Sequence, residues 1–94
     1  MKIQGVMNHV TVSDFREHYF KLPEEMQTLA DKNYKLLVEN PRHPSLRFKK
    51  IKSLRVVRIS SGYRALGYEE EDGNVLLWFW IGSHDEYIRI LKKI

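Results

Sequence analysis

VLLWFWIGSHDEY, residues 75–87, reads as a strand running directly into a helix, and the rest of the chain arranges itself around that reading. From Val75 to Ile81 no side chain is polar, so the strand is expected to be covered on both faces and to lie inside a sheet. Ser83, three residues before Glu86, forms a capping box in which the serine oxygen and the carboxylate each meet an otherwise orphan backbone N–H. Asp85 in the same turn is favoured by the positive end of the helix dipole. Tyr87, Ile88, Leu91 and Ile94 then follow helical spacing.

Upstream, LRFKKIK (46–52), LRVVRIS (54–60) and YRALGY (63–68) are short runs rich in branched and aromatic residues, separated by turn residues. SSG (60–62) and EDGN (71–74) are hairpin turns, and Asp72-Gly73 is the strongest such signal in the chain. The last three strands therefore make an antiparallel meander, and LRFKKIK is an edge. Before Pro44 the period is helical. Thr11 or Ser13 is a candidate cap for a first short helix carrying Phe15, His18, Tyr19 and Leu22. Pro23 suits the first turn of a second helix with Met26, Leu29, Ala30, Asn33 and Leu37 on one face, stopped by ENPRHP (39–44). IQGVMNHV (3–10) is a candidate first strand. The order is (β)ααββββα, an α+β fold in which two N-terminal helices pack on a mainly antiparallel four- to five-stranded sheet with a short C-terminal helix.

The 94 residues suit one domain, 1–94, and at 43% apolar content such a chain buries only about 60–70% of the surface it exposes unfolded. With no cysteine, neither a disulfide frame nor a cysteine-based zinc site is available to staple the core. No apolar run reaches the roughly 18–20 residues of a membrane span, and MKIQGVMNHV has no secretory apolar core, so a cytoplasmic location is expected.

The net charge of +4 is unevenly spread. From Asn40 to Tyr68 there is no acid, yet that stretch holds eight of the sixteen Lys and Arg: Arg42, Arg47, Lys49, Lys50, Lys52, Arg55, Arg58 and Arg64. A block that repels itself in this way is relieved by an anion, and polyphosphate is the usual one; a scattered set of solvated charges is the plainer alternative. Arg64 sharpens the question. It shares a strand face with Leu66 and Tyr68, where an arginine costs energy unless a carboxylate, Glu86 or Asp85, or a phosphate meets it.

On composition alone His84 and Tyr87 read first as packing beneath Ile88 and Leu91, but His84 follows the central strand directly, a rigid place to hold a reactive group. His43, between two prolines, reads as a capping or surface residue, and His9 and His18 have no chemical neighbours in the sequence. A metal site is not expected, because HDE (84–86) points three ways and lacks the i, i+3 or i, i+4 spacing of chelating pairs. No Gly-rich phosphate loop, nucleophile elbow or Ser–His–Asp ordering is present.

LPEEMQTLADKNYKLLVENPRHPSLRFKKI (22–51), VRISSGYRALG (57–67) and WFWIGSHDEY (78–87) together resemble the RelE/ParE superfamily of type II toxin–antitoxin toxins, small proteins often described as plasmid-stabilisation or translational-repressor toxins. The resemblance spans nearly the whole chain and implies a compact sheet with two N-terminal helices on one side. It also implies a cognate antitoxin and no cofactor. RelE-like members cleave mRNA on the ribosome without metal, whereas ParE-like members inhibit DNA gyrase on nearly the same scaffold. For the nuclease branch it implies Arg64 at the scissile phosphate, His84 as the imidazole after the last strand, and Tyr87 or Glu86 as a second proton carrier. Lys49, Lys50, Lys52, Arg47 and Arg58 would hold the RNA backbone, giving affinity without sequence information. A non-catalytic nucleic-acid-binding module is the remaining class, for which the cationic block suffices.

Overall fold

The computed structural model describes residues 8–94, and elements follow in the order β1 (Asn8–Thr11), α1 (Ser13–Phe20), α2 (Glu24–Glu39), β2 (Lys49–Ile51), β3 (Leu54–Ser60), β4 (Tyr63–Glu70), β5 (Val75–Ser83) and α3 (His84–Lys92). The sheet order is β1-β5-β4-β3-β2. β3, β4 and β5 form the expected antiparallel meander, β2 is the expected edge, and β1 pairs with β5 in parallel. The remainder of the candidate first strand, before Asn8, lies outside the described residues.

β5 is an interior strand covered on both faces, and a bulge makes this possible. Leu66 pairs with Trp80 and Gly67 with Trp78, so Phe79 is the extra residue on β5. Alternation therefore changes hand between the two tryptophans. Leu76, Trp78 and Ile81 pack with Ala30, Leu37, Leu46, Val57, Ile59 and Ala65 beneath the N-terminal helices. Trp80 joins Leu54, Val56, Leu66 and Tyr87 on the other side, where Ile88, Ile90 and Leu91 of α3 close over it. Gly67 is required opposite the bulge: a Cβ there would lie 2.8 Å from Trp78 Cε3 and 2.9 Å from the Leu77 carbonyl.

Three local expectations are corrected. Neither Thr11 nor Ser13 caps α1; Val12 is the cap residue, with no side-chain cap bond. The reason is the sheet, since Val12 N donates to Trp78 O at 3.1 Å and carries strand pairing right up to the helix. Pro23 stands one residue outside α2, where its carbonyl accepts from Met26 N and Gln27 N. LRFKKIK is not a continuous strand, because Pro44–Leu46 forms a 3-10 turn and Arg47 takes left-handed backbone (φ 45°) before the short β2. Leu46, within the 3-10 turn, is fully buried in the helix-side core. His43 behaves as a capping residue, its Nδ1 accepting from Ser45 N at 3.2 Å. At the last hairpin the Asp72-Gly73 signal holds, with left-handed φ values of 56° and 84°.

Gly67→Ala is expected to lower stability by about 1–3 kcal/mol through overpacking against Trp78 and rigid backbone, read as a melting temperature reduced by roughly 4–8 °C per kcal/mol. A second expectation concerns His9. Its Nδ1 accepts from Trp78 Nε1 at 3.1 Å, tying β1 to the core, and burial holds its pKa below the usual imidazole range. The lowered folded value means that the unfolded chain binds the proton more readily, so this contribution is full above about pH 6.5 and is lost as pH falls through the folded value. Thermal unfolding at neutral and at mildly acidic pH should show the loss in the wild type and a smaller one in His9→Gln.

Candidate functional site

Three elements converge at one end of the meander. The register of β3 against β4 shifts between Arg58 and Ser60, which leaves Ile59 as the extra residue and sets Arg58 directly opposite Arg64. Arg64 Nη1 donates to Ser60 O at 2.5 Å and to Tyr63 O at 2.9 Å, so the turn's own carbonyls fix the guanidinium. Gly62, at the tip of that turn, accepts from His84 N at 2.8 Å. The same turn therefore holds the arginine and the first residue of α3.

Glu86 N donates to Ser83 Oγ at 3.3 Å and sets the start of the helix. One turn on, Tyr87 is only 4% exposed, in the core with Leu54, Val56, Leu66 and Trp80. The His84 and Tyr87 rings lie 5.4 Å apart. The charged side chains grouped about Arg64 are arginines. Desolvation lowers the Arg64 pKa, and the neighbouring Arg58 and Arg47 lower it further, while Tyr87 opposes this. Burial raises the Tyr87 pKa, and Arg64 counters that only in part, so the phenol remains protonated at neutral pH. Arg58 Nε is buried and has no hydrogen-bond partner among the described residues.

An orphan buried donor of this kind costs about 1–3 kcal/mol, and more when charged. Two guanidiniums paired across strands add repulsion to it. No carboxylate relieves either arginine: the ion pair found among the described residues joins Arg55 to Glu69, elsewhere on the sheet. The expected carboxylate partners of Arg64 thus give way. Glu86 is exposed and accepts the Ser83 hydroxyl proton at 3.0 Å, a variant of the expected capping box in which the carboxylate meets a side chain and not a backbone N–H. Asp85 is exposed in the first turn of α3.

The structure brings Arg64, His84, Tyr87, Arg58 and Arg47 into one neighbourhood and disperses the lysines. Lys49 pairs with Val56 and so shares the α3 face, whereas Lys50 pairs with Arg55 on the opposite face. Lys52 lies by the end of α3, its ammonium donating to Leu91 O and Ile94 O. Sequence reasoning missed the facing of Arg58 and Arg64 because it depends on a bulge. Counting back from the SSG turn without an extra residue sets them out of register.

On the far face a cavity of about 460 Å³ opens between α1, α2 and the sheet, lined mainly by Phe15, Tyr19, Leu37, Val57, Trp78 and Ile81. It is an apolar space and the arginines do not reach it. No cluster of three or more His, Cys, Asp or Glu suited to a metal ion occurs among the described residues.

No protein-family model and no curated protein matches the sequence. Solved structures do match. A chain of the toxin–antitoxin complex RelBE2 from Mycobacterium tuberculosis is similar at a TM-score of 0.65 and 15% identity, covering 83% of this chain and 98% of that one. The YoeB/ParE toxin from Agrobacterium tumefaciens gives 0.64 at 14% identity over 83% and 99% of the two chains. Free RelE toxin from E. coli gives 0.63 at 17% identity over 95% and 98%. The chain has the fold shared by RelE-type and YoeB/ParE-type toxins.

Proposed function

We propose that this protein is the toxin of a type II toxin–antitoxin pair and that it arrests translation as a metal-independent, ribosome-associated mRNA endonuclease. The observation that carries this reading is the Arg58–Arg64 cross-strand pair, which has no carboxylate partner among the described residues, leaves one buried Nε unbonded and stands beside His84 and Tyr87. A phosphodiester supplies what that arrangement lacks: an anion with several acceptor oxygens. Likeness to chains from toxin–antitoxin complexes supports a cognate antitoxin as the resting partner.

The chemistry is attack of an RNA 2′-hydroxyl on its adjacent phosphorus, with loss of the 5′-oxygen of the next nucleotide, leaving a cyclic phosphate and a 5′-hydroxyl end. Arg64 and Arg58 stabilise the extra negative charge of the phosphorane in a partly dry site, where such contacts count for more than in water. His84 takes the 2′-hydroxyl proton. Tyr87, held protonated by burial and next to the His84 ring, is assigned the role of second proton carrier toward the leaving oxygen. Glu86 stays with its helix cap, and Lys49 and Arg47 hold flanking phosphates. Gyrase inhibition is the second reading, favoured by the likeness to a YoeB/ParE toxin; it needs the fold but neither His84 nor the paired arginines.

Arg64→Ala should reduce ribosome-dependent mRNA cleavage by about 10²–10³-fold, and His84→Ala by about 10²–10⁴-fold. Primer extension on translated mRNA reads this. Full cleavage by both folded variants removes the site, and supercoiling loss with intact early protein synthesis selects gyrase. In phosphate-free buffer Arg58→Met is expected to stabilise the fold by about 1 kcal/mol by removing a buried orphan donor. The same substitution should abolish the rise in melting temperature that inorganic phosphate gives the wild type.

A further inference from the structure

The bulge that sets Arg58 opposite Arg64 is held from the far side of the sheet. Asn33, in the middle of α2, donates from Nδ2 to the carbonyl of Ile59 at 2.8 Å across 26 positions of sequence. Ile59 is the extra residue of the bulge, with Arg58 before it and Ser60 after it. Two turns earlier on the same helix face, Met26 Sδ receives the Ser60 hydroxyl at 3.7 Å. Helix α2 therefore grips two successive residues of β3, and the second supplies the carbonyl that anchors Arg64.

Asparagine is an unexpected choice at that position. Its neighbours on the core-facing stripe, Ala30 and Leu37, are buried and apolar, and asparagine is a poorer helix former than leucine. What it contributes is a directed donor, aimed at a residue that a bulge leaves outside regular pairing. We propose that Asn33 is a positioning residue for the arginine pair: by pinning Ile59 O it sets the side from which Arg58 faces Arg64 and the place of the Ser60 carbonyl. The proposal rests on the anion-binding part of the function given above. Sites of this kind tolerate only about 0.5 Å of misplacement, so the effect should be visible at the guanidiniums even where the fold is unharmed.

The test compares Asn33→Asp, which keeps shape but loses the donor, with Leu37→Val, a core change on the same helix. In the full-length protein, the 15Nε signals of Arg58 and Arg64, assigned with Arg58→Lys and Arg64→Lys, are recorded without ligand and then through a titration with inorganic phosphate. Asn33→Asp is expected to shift both signals and to weaken phosphate binding by about tenfold. Leu37→Val, which also lowers thermal stability, is expected to leave both unchanged. Unshifted ligand-free signals in Asn33→Asp, or equal shifts in Leu37→Val, overturn the proposal. The ligand-free comparison decides it whether or not the wild type cleaves mRNA, so loss of the nuclease reading is seen separately in the cleavage assay.

Discussion

The extra residue at Phe79 is the constraint on which the rest of the molecule depends. A strand of regular alternation puts Trp78 and Trp80 on one face of the sheet. With the bulge between them, Trp78 becomes the centre of the core beneath α1 and α2, and Trp80 the centre of the core beneath α3. Aromatic side chains of this size dominate the burial in a small domain, so dividing them between faces is what allows 94 residues to hold helices on both sides of one sheet. The glycine at position 67 belongs to the same device, because only a residue without Cβ lets β4 approach the displaced Trp78 ring.

A second bulge, at Ile59, uses the same geometry for a different purpose. β4 lies between the two bulged strands and keeps a regular alternation, with Tyr63 and Ala65 on the helix side and Leu66 and Tyr68 on the α3 side. Its neighbours are shifted against it. On β3 the shift turns what would be an offset pair of arginines into a facing pair, at a cost in desolvation and repulsion that the Ser60 and Tyr63 carbonyls offset for Arg64 only in part and that leaves Arg58 Nε without a partner among the described residues. Arg55 on the same strand shows the contrast: it has Glu69 for a partner and stacks its guanidinium 5.3 Å from the Phe48 ring. The fold gives Arg55 a carboxylate partner and gives the paired arginines none among the described residues, the pattern expected where local consistency is given up for function.

Features legible in the sequence are those set by neighbours along the chain. Alternation in YRALGY places Arg64, Leu66 and Tyr68 together, the Asp72-Gly73 turn fixes the last hairpin, and Ser83 with Glu86 marks the start of α3. What was not legible depends on distant partners. Val12 caps α1 because Trp78 O draws its amide into the sheet, and Lys52 donates to the end of α3, which comes to rest against it. The expected strand is broken where the 3-10 turn at Pro44–Leu46 gives way to left-handed backbone at Arg47. For the site, residue types were readable while their facing was not: Arg58 and Arg64 are six positions apart in a hairpin, and one inserted residue decides whether they meet.

The start of α3 is fixed by bonds of its own, apart from the strands that carry the arginine pair. Two of its orphan amides are taken by fixed groups, His84 N by Gly62 O and Glu86 N by Ser83 Oγ, and these bonds set both the position and the rotation of the helix. Rotation then sends Tyr87 into the core and leaves His84 half-buried beside it. The arginines, by contrast, sit on strands whose opposite faces carry the main core, so they cannot shift without disturbing it. The arginine pair is thus held by the sheet, while His84 stands on a helix that packs on the smaller core. Under the proposed function, such a division lets the residues that follow Ser83 vary apart from the arginine pair, so that the shared fold does not by itself fix one activity.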